Sequence, residues 1–153
     1  MPADSQYIAK WVDYLRHADR EMSRIAAQKL GATHDPQVIP ELVKALQGRP
    51  DDVRTAAVRA LGEIGHPDAT PALVKLLDDN NVLIASAAAE ALGVIGDARA
   101  VEPLTRVIAQ YKRELTRHTQ LHGFNRGLYM AAVYALEQIG TPEARRAISQ
   151  YYR

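Results

Sequence analysis

The sequence has no cysteine among its 153 residues, which excludes disulfide bonds, thiol catalysis and zinc sites built on cysteine. It also has no apolar run that approaches the ~18–20 residues of a membrane-spanning helix. Its opening residues are polar and lack the apolar segment of a secretion signal. We therefore expect a cytoplasmic protein that does not use a membrane as a partner.

A strong net charge is missing as well. The formal net charge is +1, so no overall field attracts nucleic acid or an anionic membrane, and nucleic acid is not the expected partner. Only nine residues are aromatic, whereas apolar residues together make up 47% of the chain. This composition is typical of one globular domain whose core is built mainly from alanine, leucine, valine and isoleucine.

The chain does have an internal repeat with a period of 31 residues. Leu30, Leu61 and Leu92 follow this step and each precedes a glycine, and Pro40 and Pro71 follow it too. The apolar residues between them have helical spacing. A fixed period of this size predicts stacked helix pairs, none of which can bury its apolar face alone. The predicted fold class is therefore all-α: a right-handed α–α superhelix of four helix pairs behind an N-terminal capping helix.

The period is interrupted once, because the leucine that should follow at position 123 is Leu136. Thirteen residues have been added between Ala109 and Asn125, and we expect them to lengthen the second helix of repeat three to near Gly123 rather than to form a long loop. The predicted single domain 1–153 then divides into a capping helix at 1–17, repeat one at 18–48, repeat two at 49–79, repeat three at 80–123 and repeat four at 124–153.

The repeat unit is clearest from Asp51 to Leu77, where aspartate, Val-Arg, paired alanines, Leu-Gly and Ile-Gly precede Pro-Ala-Leu and Leu-Leu. This pattern resembles the HEAT-like repeats of phycobilisome lyase subunits, and it recurs from Ala85 to Ile108. The resemblance implies an α-solenoid. A non-enzymatic scaffold or adaptor that binds another protein is the first functional hypothesis, and a lyase-like, bilin-handling subunit is the alternative. A third hypothesis is nucleic-acid binding through residues 111–153, which carry a net charge of +4.

Two enzyme classes with similar repeats do not match the sequence. Deoxyhypusine hydroxylases hold iron with His-Glu dipeptides, and none of the five histidines here precedes a glutamate. DNA glycosylases of HEAT-like build are strongly basic with an aromatic cleft, whereas the single tryptophan here, Trp11, lies in the opening helix. We therefore predict no catalytic residue and no cofactor.

His118 and His122 are candidate metal ligands, because they lie one helical turn apart with Glu114 one turn before them. Glu114 and His122 would be about 12 Å apart along the helix axis, so one ion could not bind all three. Surface histidines without a metal are the preferred interpretation.

Lys44, Lys75 and Arg106 form a basic column, since they follow one another at the 31-residue step. In the family that the chain resembles, the second helices line the concave side of the stack. The functional interpretation is a surface that binds an acidic or a phosphate-bearing partner, and the alternative is a set of solvated charges. Like charges about 10 Å apart in water repel by only roughly 0.4 kcal/mol, so the column needs no ligand to be tolerated.

A second candidate surface is the outer side of the first helix of repeat three. The predicted outward positions are Asp52, Arg54, Thr55, Arg59 and Glu63 in repeat two, and Leu83, Ala85, Ser86, Glu90 and Val94 in repeat three. Leu83 and Val94 thus replace two acids, which favours contact with a second copy of the chain or with another protein. The alternative is ordinary exposure of apolar residues on the surface.

The aromatic residues are confined to the two ends of the chain. At the C-terminal end, Arg113, Arg117 and Tyr129 make up a third candidate partner-binding group, because arginine and tyrosine are enriched at interfaces. The alternative is that large rings cover the terminal repeats, which lack a neighbour.

Overall fold

A computed structural model describes residues 4–117 and 126–151. These residues form α-helices and short 3₁₀ turns and no strand, which confirms the all-α prediction. The α-helices of the described ranges are α1 (Ser5–His17), α2 (Arg20–Gly31), α3 (Ile39–Ala45), α4 (Asp51–Ile64), α5 (Thr70–Lys75), α6 (Val82–Ile95), α7 (Val101–Arg117), α8 (Arg126–Ile139) and α9 (Pro142–Tyr151). The assignment of these helices to one domain with the repeat boundaries given above stays a prediction.

The helices lie in two layers. The A layer contains α2, α4, α6 and α8, each packed against the next, and the B layer contains α1, α3, α5, α7 and α9. The B-layer helices α1, α3, α5 and α7 each pack against the A-layer helix that follows them in the chain, and α9 packs against α8. Leu61 and Leu92 of the A layer and Leu73 and Leu104 of the B layer are fully buried between them, as their periodic spacing predicts.

Local sequence signals set the helix ends. Asp35 accepts a hydrogen bond from the backbone N–H of Gln37 at 2.9 Å and opens a 3₁₀ turn, and Thr141 caps α9 in a similar way. Gly65 and Gly96 end α4 and α6 with φ angles of 69° and 72°, in the left-handed region that glycine adopts without a steric penalty.

Each of α3, α5 and α7 follows a separate 3₁₀ turn instead of including it. The cause is a proline near the start of each helix: Pro40 and Pro71 lie two residues after the turn, and Pro103 lies three residues after it. Proline has no backbone N–H, so it cannot donate to the carbonyl four residues earlier and a continuous α-helix is interrupted there. The B-layer helices of the first two repeats, α3 and α5, have seven and six residues.

Glycine and alanine allow close packing within the A layer. Three helical glycines face alanines of the next helix: Gly31 faces Ala60, Gly62 faces Ala91 and Gly93 faces Ala135. A Cβ atom added to Gly93 would lie 2.8 Å from the Cα atom of Ala135, which is closer than real Cβ atoms approach. The small residues of the repeat therefore set the spacing of the layer.

Polar contacts link residues about one period apart. The Arg20 guanidinium lies 2.8 Å from the Asp52 carboxylate, and Arg99 donates to the carbonyl of Pro67 at 2.9 Å. The imidazole Nδ1 of His34 lies 2.9 Å from the carbonyl oxygen of Glu63. Each of these contacts joins one helix pair to the next one along the stack.

The added residues lengthen α7, which continues to Arg117 as a single helix. Its end is attached to α8 through Tyr111 and Tyr129, whose rings stack with centroids 4.3 Å apart. The predicted helix end near Gly123 lies outside the described residues, and so do His118 and His122.

Candidate functional site

An exposed apolar surface crosses two neighbouring A-layer helices. On α6 Leu83 is 77% exposed and Val94 is 62% exposed, while on α8 Met130 is 44% exposed and Tyr134 is 56% exposed. We call these four residues the apolar face. The structure thus places Leu83 and Val94 in solvent, and it adds two residues that the sequence analysis missed.

A signal for the missed residues was present in the repeat. Tyr134 occupies the position of Arg59 in α4 and Glu90 in α6, and Met130 occupies that of Ser86. These correspondences appear only after the thirteen added residues are removed from the register. Both positions are therefore outward positions at which a polar residue has become apolar.

One pair of predicted outward positions is wrong. The Arg54 side chain is only 17% exposed, and Ala85, its counterpart in repeat three, is 1% exposed. The Nε of Arg54 donates to the carbonyl of Leu46 at 2.9 Å, and its guanidinium also pairs with Asp79. This position faces the loop that precedes each A-layer helix, so it is occupied by a paired arginine or by a small apolar residue.

A wide hollow of about 730 Å³ lies beside Arg54, between repeats two and three. Four of its polar residues, Asp51, Arg54, Asp79 and Asn81, are already hydrogen-bonded to one another. Asn81 donates to the Asp51 carboxylate at 2.6 Å, and Arg54 approaches that carboxylate at 3.1 Å. These hydrogen bonds hold the pKa of Asp51 below its usual value, with that from Asn81 the largest cause. These hydrogen-bonded side chains therefore link repeats two and three.

The basic column lies on exposed positions of α3, α5 and α7. Lys44 Nζ is 2.9 Å from Glu41, and Arg106 Nε is 3.2 Å from Glu102. Two of the three cations therefore already have an acidic neighbour on their own helix, which reduces their attraction for an outside anion. An acidic partner for the column stays a prediction.

Glu41 is the centre of a small charged cluster between α1 and α3. Its carboxylate accepts from the Arg16 guanidinium, with the closest contact at 2.7 Å, as well as from Lys44. The hydrogen bond from Arg16 is the main reason that the pKa of Glu41 falls to about 2. Glu41 also lines the adjoining hollow of about 260 Å³, so that hollow already has a carboxylate of the protein at its wall.

A more enclosed hollow of about 180 Å³ lies between α5 and α7. Val74 and Leu77 line it from the α5 side, and Val107, Arg106 and Arg113 line it from α7. We call it the α5–α7 hollow. A shallower hollow of about 450 Å³ follows between α7 and α9, and Arg113 lines both. The structure thus brings together Arg106 and Arg113, which the sequence analysis had assigned to different groups.

The remaining candidates contribute less surface. Tyr129 is half-buried and stacked on Tyr111, so one face of its ring already packs inside the protein. The structure does not describe the Arg117 side chain, His118 or His122.

Within the described residues no group of three or more His, Asp or Glu could hold a metal ion. Over the same ranges, every helix is too short or too polar to cross a membrane.

The family assignment follows from a sequence-family comparison. The model described as HEAT repeats matches residues 8–81 and again residues 41–122, which together span most of the sequence. The chain belongs to the HEAT repeat family. No curated protein matches this HEAT-repeat chain.

Two solved structures share the fold. The first is the complex of CpcE and CpcF of phycocyanin lyase from Nostoc sp. PCC7120, with 22% identity, a TM-score of 0.71, and coverage of 99% of this chain and 67% of that chain. The second is an engineered protein with 25% identity, a TM-score of 0.63, and coverage of 95% of this chain and 68% of that one. The HEAT-repeat chain is thus similar in fold to a natural and to an engineered protein.

Proposed function

We propose that this HEAT-repeat protein is a non-enzymatic scaffold or adaptor, and that a protein partner covers the apolar face. The observation that supports the proposal is the exposure of four large apolar side chains on two adjacent helices of one layer. Single apolar residues on a surface are ordinary, whereas a group of them rimmed by polar residues marks an interaction site. Methionine and tyrosine are also enriched at protein interfaces.

The comparison of α6 with α4 supports a role for Leu83 and Val94 in binding rather than in folding. Leu83 and Val94 occupy the positions of Asp52 and Glu63, and α4 packs in the same layer with those acids present. Since Leu83 and Val94 are mostly exposed, they contribute little buried area to the fold. Their side chains are therefore available to stabilise a complex.

The test is the double variant Leu83→Glu with Val94→Glu, which gives α6 acids where α4 has them. We expect retained helical circular dichroism and loss of association. Association is measured as the dimer-to-monomer shift of the purified chain in light scattering, or as loss of a partner from a pulldown analysed by mass spectrometry.

A matched control, Gln28→Glu with Gln47→Glu, adds the same charge at exposed positions away from the apolar face. Unchanged assembly and unchanged partners in the double variant would contradict the proposal.

A second candidate function is a phycobilisome-lyase-like subunit that handles a bilin. The support is the resemblance of the repeat motif and the similarity in fold to the phycocyanin lyase complex over 99% of this chain. The test is titration of the purified protein with a free bilin. A saturable change in the visible absorbance spectrum supports this function, and a spectrum equal to that of the bilin in buffer counts against it.

Nucleic-acid binding through residues 111–153 is the weaker alternative. Its support is the net charge of +4 in that part of the sequence. Salt-dependent retention on heparin would favour it, because displacement of condensed counterions makes such binding fall steeply with salt.

We also propose a cytoplasmic location, since the sequence lacks cysteine. Fluorescence microscopy of a tagged chain tests this location.

A further inference from the structure

The α5–α7 hollow combines apolar walls with cationic edges. Val74, Leu77 and Val107 supply apolar walls, while Arg106 and Arg113 line the same space. Its volume of about 180 Å³ exceeds the ~150 Å³ that suffices for a benzene molecule in an apolar protein cavity. The hollow is therefore large enough for an aromatic or a large aliphatic side chain.

The charges at the hollow favour an anionic ligand. The Arg113 guanidinium is exposed and has no hydrogen bond or ion pair to any residue in the described ranges. Arg106 pairs with Glu102 of its own helix, and both side chains are mostly exposed, so that pair contributes little. Asp78 also lines the hollow, which leaves its lining with a net charge of +1. A carboxylate can take two parallel hydrogen bonds from an arginine.

The adjoining hollow extends this surface across α7, because it lies on the α9 side of that helix whereas the α5–α7 hollow lies on the α5 side. It shares Arg113 and adds Lys112, Thr116 and the Tyr151 ring. The distance along α7 from Arg106 to Thr116 is about 15 Å at the helical rise per residue. An extended chain covers that distance in about five residues.

We propose that these two hollows bind an extended segment of a partner protein in which apolar and acidic side chains alternate. An aromatic or large aliphatic side chain of the segment enters the α5–α7 hollow, and its flanking carboxylates bind Arg106 and Arg113. The proposal rests on the proposed protein-binding function but places a second contact in the B layer, away from the apolar face. It also specifies the partner's chemistry.

A peptide fits this site better than a nucleic acid does. The apolar walls offer nothing to a phosphate, and Asp78 and Glu102 beside the arginines would repel a continuous phosphate backbone. An alternating peptide instead places isolated carboxylates at Arg106 and Arg113 and fills the space between them with a side chain. The surface is thus matched to separate anions at a fixed distance from apolar groups.

The test is fluorescence anisotropy with a labelled, amidated peptide in which two phenylalanines and two glutamates alternate between terminal serines. We expect saturable binding to the full chain that weakens about tenfold or more with Arg113→Gln or Arg106→Gln, the size of effect given by loss of a charge-assisted hydrogen bond. Glutamine in place of both glutamates, or serine in place of both phenylalanines, should weaken the binding to a similar extent.

The matched control is Arg59→Gln, which removes an exposed arginine from α4 in the A layer. It should leave peptide affinity unchanged, and so should the Leu83→Glu, Val94→Glu double variant. Equal losses in Arg59→Gln and Arg113→Gln, or equal affinity for the glutamine peptide, would overturn the proposal. Tighter binding of a single-stranded oligonucleotide through the same arginines would overturn it too. Absence of peptide binding in a chain whose assembly still depends on Leu83 and Val94 would reject this inference alone and leave the proposed function intact.

Discussion

Among single residues, Glu41 has the clearest electrostatic role. It belongs to α3, but its strongest partner, Arg16, belongs to α1, so the ion pair attaches the opening helix to the next helix of the B layer. The Glu41 side chain is 15% exposed, which places it in surroundings less screened than those of a fully solvated pair. Arg49 adds a second contact between the same segments by donating to the carbonyl of Arg16 at 2.7 Å.

The first prediction concerns the pH dependence of this attachment. The folded-state pKa of Glu41 is about 2, below the ordinary value of 4.5, so its contribution to stability is present above pH 4.5 and is lost as the pH falls towards 2. Replacing Glu41 by Gln should lower the free energy of unfolding by about 1–3 kcal/mol at neutral pH. Near pH 2 the variant and the unmodified chain should be nearly equal.

Urea denaturation at several pH values measures this effect. Glu143→Gln is a suitable control, because Glu143 interacts locally, with Arg146 of its own helix, with its own backbone N–H and with Thr141, and the side chains of the ion pair are mostly exposed. The control should change the stability by a few tenths of a kcal/mol at most. A loss in Glu41→Gln that stays constant down to pH 2 would show that shape rather than charge is responsible.

The second prediction concerns Gly93. In an exposed helix, glycine to alanine gains about 1 kcal/mol from helix propensity. At Gly93 the new Cβ atom would lie 2.8 Å from the Cα atom of Ala135, so α6 and α8 would have to separate, at a cost of about 1–3 kcal/mol. We expect Gly93→Ala to be net destabilising in urea denaturation. Gly62→Ala should be less harmful, because its nearest contact is the Ala91 Cβ atom at 3.0 Å.

The behaviour of such residues could be predicted from the sequence only in part. The period identified Leu61, Leu92, Leu73 and Leu104 as core residues, because burial at equivalent positions repeats. It failed at Arg54, whose partners are a loop carbonyl and Asp79, since a period describes helix faces and carries no information on the loops that approach them.

At the scale of helices, α7 differs most from its counterparts. It has 17 residues, whereas α5 has six, so the added residues begin as regular helix. The sequence predicted this extension from the helical spacing of apolar residues. It could not predict that Arg106 and Arg113 would line one hollow, because the hollow depends on the distance between the end of α5 and α7.

The third prediction is that the extended part of α7 is a stable helix. Amides of residues 110–117 should exchange with solvent slowly, since their hydrogen bonds lie within a helix attached to α8 through the stacked Tyr111 and Tyr129 rings. Hydrogen–deuterium exchange measures this directly, and the amides of α5 give an internal reference. Exchange at the rate of a free peptide across residues 110–117 would rule out the extended helix.

At the scale of the whole molecule, the stack has a middle and two ends. α4 and α6 each pack between two A-layer neighbours, whereas α1 covers one end and α9 lies at the other end of the described residues. Trp11 and Tyr14 of α1 are partly buried against the core, and their rings contact each other. The sequence analysis missed Met130 and Tyr134 of the apolar face, because the added residues displace α8 from the 31-residue register.

The last prediction uses this arrangement. Leu92 of α6 and Leu15 of α1 are both buried leucines, 0% and 2% exposed, so either Leu→Ala change removes similar apolar contacts and should cost about 2–5 kcal/mol locally. In a stack that is stabilised between neighbours, a defect in the middle weakens both halves, whereas a defect at the end affects mainly the terminal helices. Native-state hydrogen exchange should therefore show Leu92→Ala lowering protection from α2 to α8. Leu15→Ala should lower it chiefly in α1 and α2. If Leu15→Ala reduced the protection of α8 as much as that of α2, the molecule would unfold as one cooperative unit, and the nearest-neighbour description would be wrong.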